Sequence, residues 1–210
     1  MGTVNYGLWR MNRIRAFIAQ FPYSRTSVLQ RHFFDFPSGK RKCRQVLQGM
    51  VKKQMLNRCK YGPEYVYFRG QRSGQWVHTC DVTAFHWDLC FSLRKPQEVV
   101  YYKREVEYPG GRADALYYIK LEGNGSGIKF FLEYDDGKNY FGKFEQYEEY
   151  ARSRTWILKE FWADPLKSGR PSFPVILVVS DREIKRPESE LLRVKMCKPK
   201  SDYLGVLLSG

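Results

Sequence analysis

The apolar run at residues 174–180, PVILVVS, is the feature of this sequence that most restricts the fold. Its five central residues are all apolar and mostly β-branched, with no polar alternation. This pattern is typical of a strand that is buried on both faces, so the sheet that contains it needs further layers on both sides. The chain has 210 residues, 43% of them hydrophobic, and is therefore long enough to bury such a core.

The residues around this run switch between strand and helix patterns. Further strands are predicted at residues 98–108, 112–122 and 127–136. Helices are predicted at residues 76–93, 139–164 and 188–196. The flexible sequence GNGSG joins the second and third strands in a hairpin-like connection. This order predicts an α/β sandwich with a central mixed sheet, in a chain that is α+β overall.

The charge of the chain is concentrated in its first third. Residues 1–72 contain 15 Lys and Arg but only two acids, a net charge of +13, whereas the remaining residues have a net charge of +1. This asymmetry is typical of a polyanion-binding module joined to a near-neutral one. The polar, Gly-rich stretch at 70–75 resembles a linker, so we expect domains at residues 1–72 and 73–210.

The basic first third predicts a winged helix-turn-helix. Helical patterns at residues 8–20, 24–33 and 40–56 precede two short strands around the turn signal Tyr61–Glu64, and Ser24 is a suitable N-cap for the second helix. In such a domain the third helix enters the major groove of duplex DNA and the hairpin lies along the backbone. The predicted DNA-binding cations are Lys40, Arg41, Lys42, Arg44, Lys52, Lys53, Arg58, Lys60 and Arg69.

Three carboxylates are predicted to meet at one edge of the second module. Asp114 lies at the start of one strand, and Glu133 and Asp135 lie near the end of the next. Antiparallel strands joined by a short loop would bring Asp114 beside Glu133 or Asp135, where they could hold Mg²⁺ or Mn²⁺ against a phosphate. Either Glu105 or Glu107 could complete the cluster, and the sequence does not decide between them.

The ordered set of motifs resembles the replication-relaxation family of bacterial plasmids and integrative elements. Proteins of that family join an N-terminal winged helix to a domain that is similar to the restriction-endonuclease-like nucleases. The resemblance rests on the basic first third and on WVHTCDV, RADAL, FFLEYDDG, GKFEQY and VILVVS, and it covers nearly the whole chain.

The resemblance implies roles for four residues as a catalytic set. Asp114 and Glu133 would take the Asp and Glu positions of the nuclease superfamily, and Asp135 stands where that superfamily has a lysine. An aspartate cannot supply positive charge there. The resemblance implies that Lys143, on the following helix, reaches into the same space, with Lys138 as a weaker substitute.

Several functions are consistent with these patterns. We expect a double-stranded-DNA-binding protein of a mobile element that acts in replication initiation or DNA relaxation. The alternatives are a Mg²⁺-dependent endonuclease or nickase, and a transcription regulator whose nuclease-like domain is inactive and serves dimerisation. Homodimerisation suits a protein that reads symmetrical half-sites. The simplest alternative for the acids is a turn at Asp136–Gly137.

The cysteines and the hydropathy exclude other classes of protein. Five cysteines, with no Cys-x-x-Cys spacing, argue against a zinc site or a disulfide framework and favour reduced thiols in the cytoplasm. No apolar run approaches the length of a transmembrane helix, so no membrane partner is expected.

Overall fold

The chain forms two compact units in a computed structural model that describes residues 6–121, 127–137, 141–158 and 172–209. Unit 1 is Met1–Trp87 and unit 2 is Asp88–Gly210. The division lies within a helix, whereas the sequence analysis placed it between residues 72 and 73. The first part of that helix therefore packs with the N-terminal elements.

Unit 1 contains three helices followed by a hairpin, in the order that the sequence predicts. Its elements are α1 (Tyr6–Gln20), β1 (Ser24–Arg25), α2 (Thr26–Phe33), α3 (Gly39–Lys52), β2 (Asn57–Tyr61), β3 (Glu64–Phe68) and the first part of α4 (Trp76–Ser92). The strands form an antiparallel sheet in the order β1-β3-β2. Gly62 has a positive φ of 59° at the turn between β2 and β3, a conformation that favours glycine.

The core of unit 1 collects one apolar stripe from each of its first three helices. Ile14 and Ile18 of α1, Leu29 of α2, and Leu47 and Met50 of α3 are all essentially inaccessible to solvent. The spacing of three or four residues within α1 and α3 places these side chains on one face of each helix. The opposite face of α3 is consequently left for solvent.

The prediction that Ser24 caps α2 is wrong. Ser24 lies in β1 and is buried, and its hydroxyl donates a hydrogen bond to the carbonyl of Phe21 at 2.6 Å. The cap comes instead from the hairpin, because the Glu64 carboxylate accepts a hydrogen bond from the Ser27 amide at 2.8 Å and another from its hydroxyl at 3.1 Å. A carboxylate at this position also interacts favourably with the helix dipole.

A partly buried ion pair attaches the first part of α4 to the rest of unit 1. The Arg25 guanidinium lies 2.5 Å from the Asp81 carboxylate, which also accepts a hydrogen bond from the Tyr61 hydroxyl at 3.0 Å. Asp81 is only 6% exposed, so its charge needs these donors. This network explains why the division between the units lies beyond residue 72.

Unit 2 contains a mixed sheet, as the sequence predicts, but the sheet has five strands where four were predicted. Its elements are β4 (Glu98–Tyr108), β5 (Gly111–Lys120), β6 (Gly127–Tyr134), α5 (Phe144–Ser153), a 3₁₀ turn (Thr155–Leu158), β7 (Val175–Val179), β8 (Val194–Cys197) and α6 (Tyr203–Leu208). The strand order is β4-β5-β6-β7-β8, in which the first three strands are antiparallel and the last three are parallel.

Strand β7 is buried along its whole length, which confirms the prediction from its apolar run. Ile176 and Val178 lie in one core cluster with Phe131 of β6 and with Tyr147 and Tyr150 of α5. Helix α5 therefore packs on this face of the sheet. On β7 the alternate residues Leu177 and Val179 are buried as well, so apolar side chains are needed at every position of the strand.

Two helix predictions in unit 2 are corrected by the structure. The predicted helix at 188–196 is wrong, since Val194–Cys197 forms β8, which pairs in parallel with β7. The predicted helix at 139–164 is shortened, because α5 ends at Ser153 and Arg154 adopts a left-handed conformation. The last part of that prediction, residues 159–164, lies outside the described residues.

Candidate functional site

Glu133 is a buried carboxylate at the end of β6. Its side chain is 2% exposed and points to the same face as Phe131, toward α5. One oxygen, Oε1, accepts a hydrogen bond from the Tyr147 hydroxyl at 2.5 Å, and Oε2 accepts one from Lys143 Nζ at 2.5 Å. Burial of a carboxylate is costly, and these two donors offset the loss of water.

Lys143 connects three elements at this edge of the sheet. It occupies the N-cap position of α5, and its ammonium reaches Glu133 on β6 and donates to the carbonyl of Arg112 on β5 at 2.9 Å. Its side chain is 35% exposed, so the ammonium faces both the carboxylate and solvent. The structure thus places Lys143 where the resemblance implies, whereas Lys138 lies outside the described residues.

Asp114 lies beside Glu133 on the neighbouring strand. Ala115 pairs with Leu132 in antiparallel register, so the preceding residue of β5, Asp114, lies opposite Glu133. The Asp114 carboxylate accepts a hydrogen bond from the Tyr134 amide at 2.7 Å, which holds it against the end of β6. The predicted approach of Asp114 to Glu133 is therefore present in the structure.

Burial and a neighbouring carboxylate together change the acidity of Glu133. Burial, followed by the charge of Asp114, raises the pKa of Glu133 from 4.5 to about 7, against the opposing effect of Lys143 and Tyr147. Burial and the charge of Glu133 raise the pKa of Tyr147 well above its usual value, so the Tyr147 hydroxyl remains protonated and acts as a donor. The ring of Tyr108 stacks on the ring of Tyr147, with 4.6 Å between the ring centroids, so an aromatic side chain packs beside the cluster.

Asp135 lies outside this cluster, unlike the sequence prediction. Its carboxylate accepts hydrogen bonds from Arg182 at 2.7 and 2.9 Å and from the Ser180 hydroxyl at 2.8 Å. Burial by itself would raise the pKa of Asp135. The hydrogen bonds from Arg182 and Ser180 outweigh this effect, so the pKa is lowered. The reason is local: β6 ends at Tyr134, and the Asp135 amide donates to the carbonyl of Val179, so the side chain meets the segment after β7.

The choice between Glu105 and Glu107 is resolved in favour of neither. The Glu105 carboxylate is 58% exposed and lies 3.8 Å from the Arg112 guanidinium, and Glu107 is exposed. In the described parts of the chain, no group of three or more His, Cys, Asp or Glu side chains is arranged to hold a metal ion. The acidic pair at this edge is Asp114 and Glu133.

Sequence reasoning did not assign a role to Tyr147 or to Arg182. A signal for Tyr147 exists, because it follows Lys143 by four residues and therefore shares its face of α5. No comparable signal exists for Arg182, which lies 47 residues from Asp135 in the sequence. The contact between them depends on the parallel pairing of β6 with β7.

A second candidate surface is formed by the exposed cations of α3 and the hairpin in unit 1. All nine predicted DNA-binding cations are exposed: Lys40, Arg41, Lys42, Arg44, Lys52, Lys53, Arg58, Lys60 and Arg69. Five of them belong to α3, whose buried side is formed by Cys43, Leu47 and Met50. On the hairpin, the Arg58 guanidinium lies over the Tyr65 ring at 4.4 Å, which holds this cation against β3.

Comparisons with protein-family models, with curated proteins and with solved structures find no match to this chain. In the part of the chain that the structure describes, each helix is too short or too polar to traverse a bilayer. All five cysteines are free thiols.

Proposed function

We propose that the protein binds duplex DNA through unit 1. The observation that supports this most directly is the exposed face of α3, where cations are displayed opposite a fully buried apolar stripe. Three helices followed by a hairpin are the elements of a winged helix-turn-helix, in which the third helix enters the major groove. The resemblance to the replication-relaxation family would place this activity in the replication or relaxation of a mobile element.

The electrostatics of unit 1 favour a polyanionic partner. Of the two acids in residues 1–72, Glu64 is used in capping α2, so its charge is directed at the amide and hydroxyl of Ser27. Cations that neutralise phosphates release condensed counterions, which makes binding strongly salt-dependent. We expect the affinity for any duplex to fall by orders of magnitude between low and physiological salt.

Fluorescence anisotropy with a labelled duplex, measured over a series of salt concentrations, tests this proposal. The double substitution Arg41→Glu with Arg44→Glu is expected to lower the affinity at least tenfold and to reduce the salt slope. Lys198→Glu with Lys200→Glu makes the same change of charge on unit 2 and is the matched control. Equal effects of the two pairs, or wild-type protein that forms no complex in dilute buffer, would show that unit 1 is not the DNA-binding surface.

We propose metal-dependent cleavage of a phosphodiester as a second activity, because Asp114, Glu133 and Lys143 converge at one edge of unit 2. Two carboxylates are hard oxygen donors of the kind that bind Mg²⁺ together with water and a substrate phosphate. Burial, followed by the charge of Asp114, raises the pKa of Glu133, and a cation between the two carboxylates would relieve the second of these effects, so the donor set fits such an ion. Asp135 is not part of this donor set because Arg182 neutralises it.

Each residue of the cluster has a separate proposed role. When bound, Mg²⁺ would supply positive charge to the scissile phosphate and acidify an attacking water. Asp114 and Glu133 would hold the ion, and Tyr147 keeps the Glu133 carboxylate in one orientation through its 2.5 Å hydrogen bond. Lys143, partly exposed, would orient the attacking water or stabilise the charge that develops on the phosphate.

Nicking of supercoiled plasmid in the presence of Mg²⁺ or Mn²⁺ tests the second activity. Asp114→Asn and Glu133→Gln preserve shape and should abolish nicking, and Lys143→Ala should slow it about 100-fold or more. Asp135→Asn is the matched control and should retain activity, because its carboxylate contacts Arg182 instead of the cluster. Wild-type protein that binds DNA but nicks with neither ion would exclude this activity and leave the DNA-binding proposal intact.

A further inference from the structure

We infer that Gln45 and Gln48 of α3 select the DNA sequence by contacting adenine bases, an inference that rests on the proposed binding of duplex DNA by unit 1. Successive residues of an α-helix are about 100° apart around the axis. Opposite the buried stripe of Cys43, Leu47 and Met50, this spacing brings a second set of side chains into line. That exposed stripe consists of Arg41, Gln45, Gln48 and Lys52.

The charges on α3 are arranged around the two glutamines. Arg41 and Lys52 lie at the two ends of the stripe, and Lys42 and Arg44 lie on its two sides, all of them exposed. A helix in the major groove has a phosphate backbone on each side and base edges directly beneath it. Lys42 and Arg44, on the two sides of the stripe, are therefore placed to contact phosphates, while the uncharged amides occupy the middle of the face that would meet the bases.

The chemistry of the glutamine side chain matches adenine. A carboxamide offers one donor and one acceptor in a fixed plane, and in the major groove adenine presents an N7 acceptor beside an N6 donor. Gln45 and Gln48 are three residues apart, a rise of about 4.5 Å along the helix, which is close to the spacing of about 3.4 Å between base pairs. We expect them to contact A·T pairs that are adjacent or nearly so.

Arg41 extends the predicted recognition sequence. Its position one turn before Gln45 is on the same stripe, and a guanidinium pairs with the O6 and N7 acceptors of guanine. A G·C pair is therefore expected within a few base pairs of the A·T pairs. An exposed glutamine contributes nothing to counterion release, so its effect should be on the choice of sequence and not on the salt dependence.

Selection of bound duplexes from a random pool by the wild-type 210-residue chain is the first step of the test. The affinity of each variant is then compared for the selected duplex and for the same duplex with its A·T pairs replaced by G·C. Gln45→Ala and Gln48→Ala are expected to reduce this preference about tenfold each, with an unchanged salt slope. Alanine is a good helix former, so the fold of α3 should be retained.

Two controls separate this inference from the function on which it rests. Gln20→Ala, at an exposed position of α1, should leave the preference unchanged. Lys53→Ala should weaken binding to every sequence and lower the salt slope by about one. Wild-type protein that binds duplexes without preference, or variants that keep the full preference, would overturn the roles of Gln45 and Gln48 alone. No binding to any duplex would overturn the DNA-binding proposal as well.

Discussion

The fold has opposing effects on the ionised carboxylate of Glu133. Its carboxylate has lost nearly all contact with solvent and keeps two strong donors, Lys143 and Tyr147. Asp114 on the adjacent strand opposes ionisation. A buried carboxylate next to a second carboxylate would be stabilised by a bound cation. We therefore propose that the cluster is a metal-binding site and not only a structural contact.

The raised pKa of Glu133 predicts a specific dependence of stability on pH. The folded state holds the proton more tightly than the unfolded chain, so the stabilising contribution is complete below pH 4.5 and is lost as the pH rises through about 7. The free energy of unfolding of the wild type, relative to Glu133→Gln, should fall by about 3 kcal/mol between pH 4.5 and 8. Urea denaturation at a series of pH values measures this difference. A difference that is constant with pH would contradict the predicted shift.

Removal of the Tyr147 hydroxyl should destabilise the cluster. Tyr147→Phe leaves Glu133 Oε1 buried without its 2.5 Å donor, at a cost of about 1–3 kcal/mol. Chemical denaturation compared with Tyr150→Phe, in the same core, measures the effect. If both substitutions cost the same, the hydrogen bond to Glu133 is not the source of the stabilisation.

At the scale of elements, the ends of helices and strands are fixed by residues that are distant in the sequence. Helix α2 is capped by Glu64 from the hairpin, 37 residues away, and the end of β6 is joined by Asp135 to Arg182, 47 residues away. Secondary structure in this protein is therefore completed by tertiary contacts.

The cap on α2 provides a test at this scale. Glu64→Ala removes two hydrogen bonds to Ser27 and should destabilise unit 1 by about 1 kcal/mol, as loss of an N-cap does. Thermal denaturation monitored by circular dichroism measures this change, and Glu98→Ala, an exposed acid at the start of β4, is the control. An unchanged melting temperature for Glu64→Ala would show that the cap contributes little.

At the scale of the whole molecule, binding and cleavage are proposed to belong to different units. Residues 1–72 contain nearly all of the net charge, and the acidic pair with Lys143 lies in unit 2. The two activities should then respond to different substitutions. Unit 1 would determine how much DNA is bound, and unit 2 would determine how fast bound DNA is cut.

This separation predicts two kinds of defect in plasmid nicking. The double substitution Arg41→Glu with Arg44→Glu should raise the protein concentration needed for half-maximal nicking about tenfold or more, without changing the rate at saturation. Lys143→Ala should lower the rate at saturation without changing that concentration. Titrations of nicking rate against protein concentration distinguish the two, and a variant of unit 1 that lowers only the saturated rate would contradict the assignment.

Much of the fold was predictable because it follows from local patterns. The apolar run at Val175–Val179 predicted a strand buried on both faces, and the helical stripes predicted α1 and α3. The predicted helix at residues 188–196 failed because parallel pairing with β7 outweighs the helical preference of a short, mixed segment. Short segments take the structure that their neighbours impose.

The sequence by itself determined the concentration of charge in residues 1–72, the order of the elements in unit 1 and the placement of Asp114 and Glu133 on adjacent strands. These properties depend on composition and on local periodicity. Only the tertiary structure decided that Lys143 and Tyr147 both donate hydrogen bonds to the Glu133 carboxylate. It also decided that Asp135 binds Arg182 and lies outside the cluster. The physical reason is that the strength of a charge contact depends on distance and burial, and both are set by how strands and helices pack.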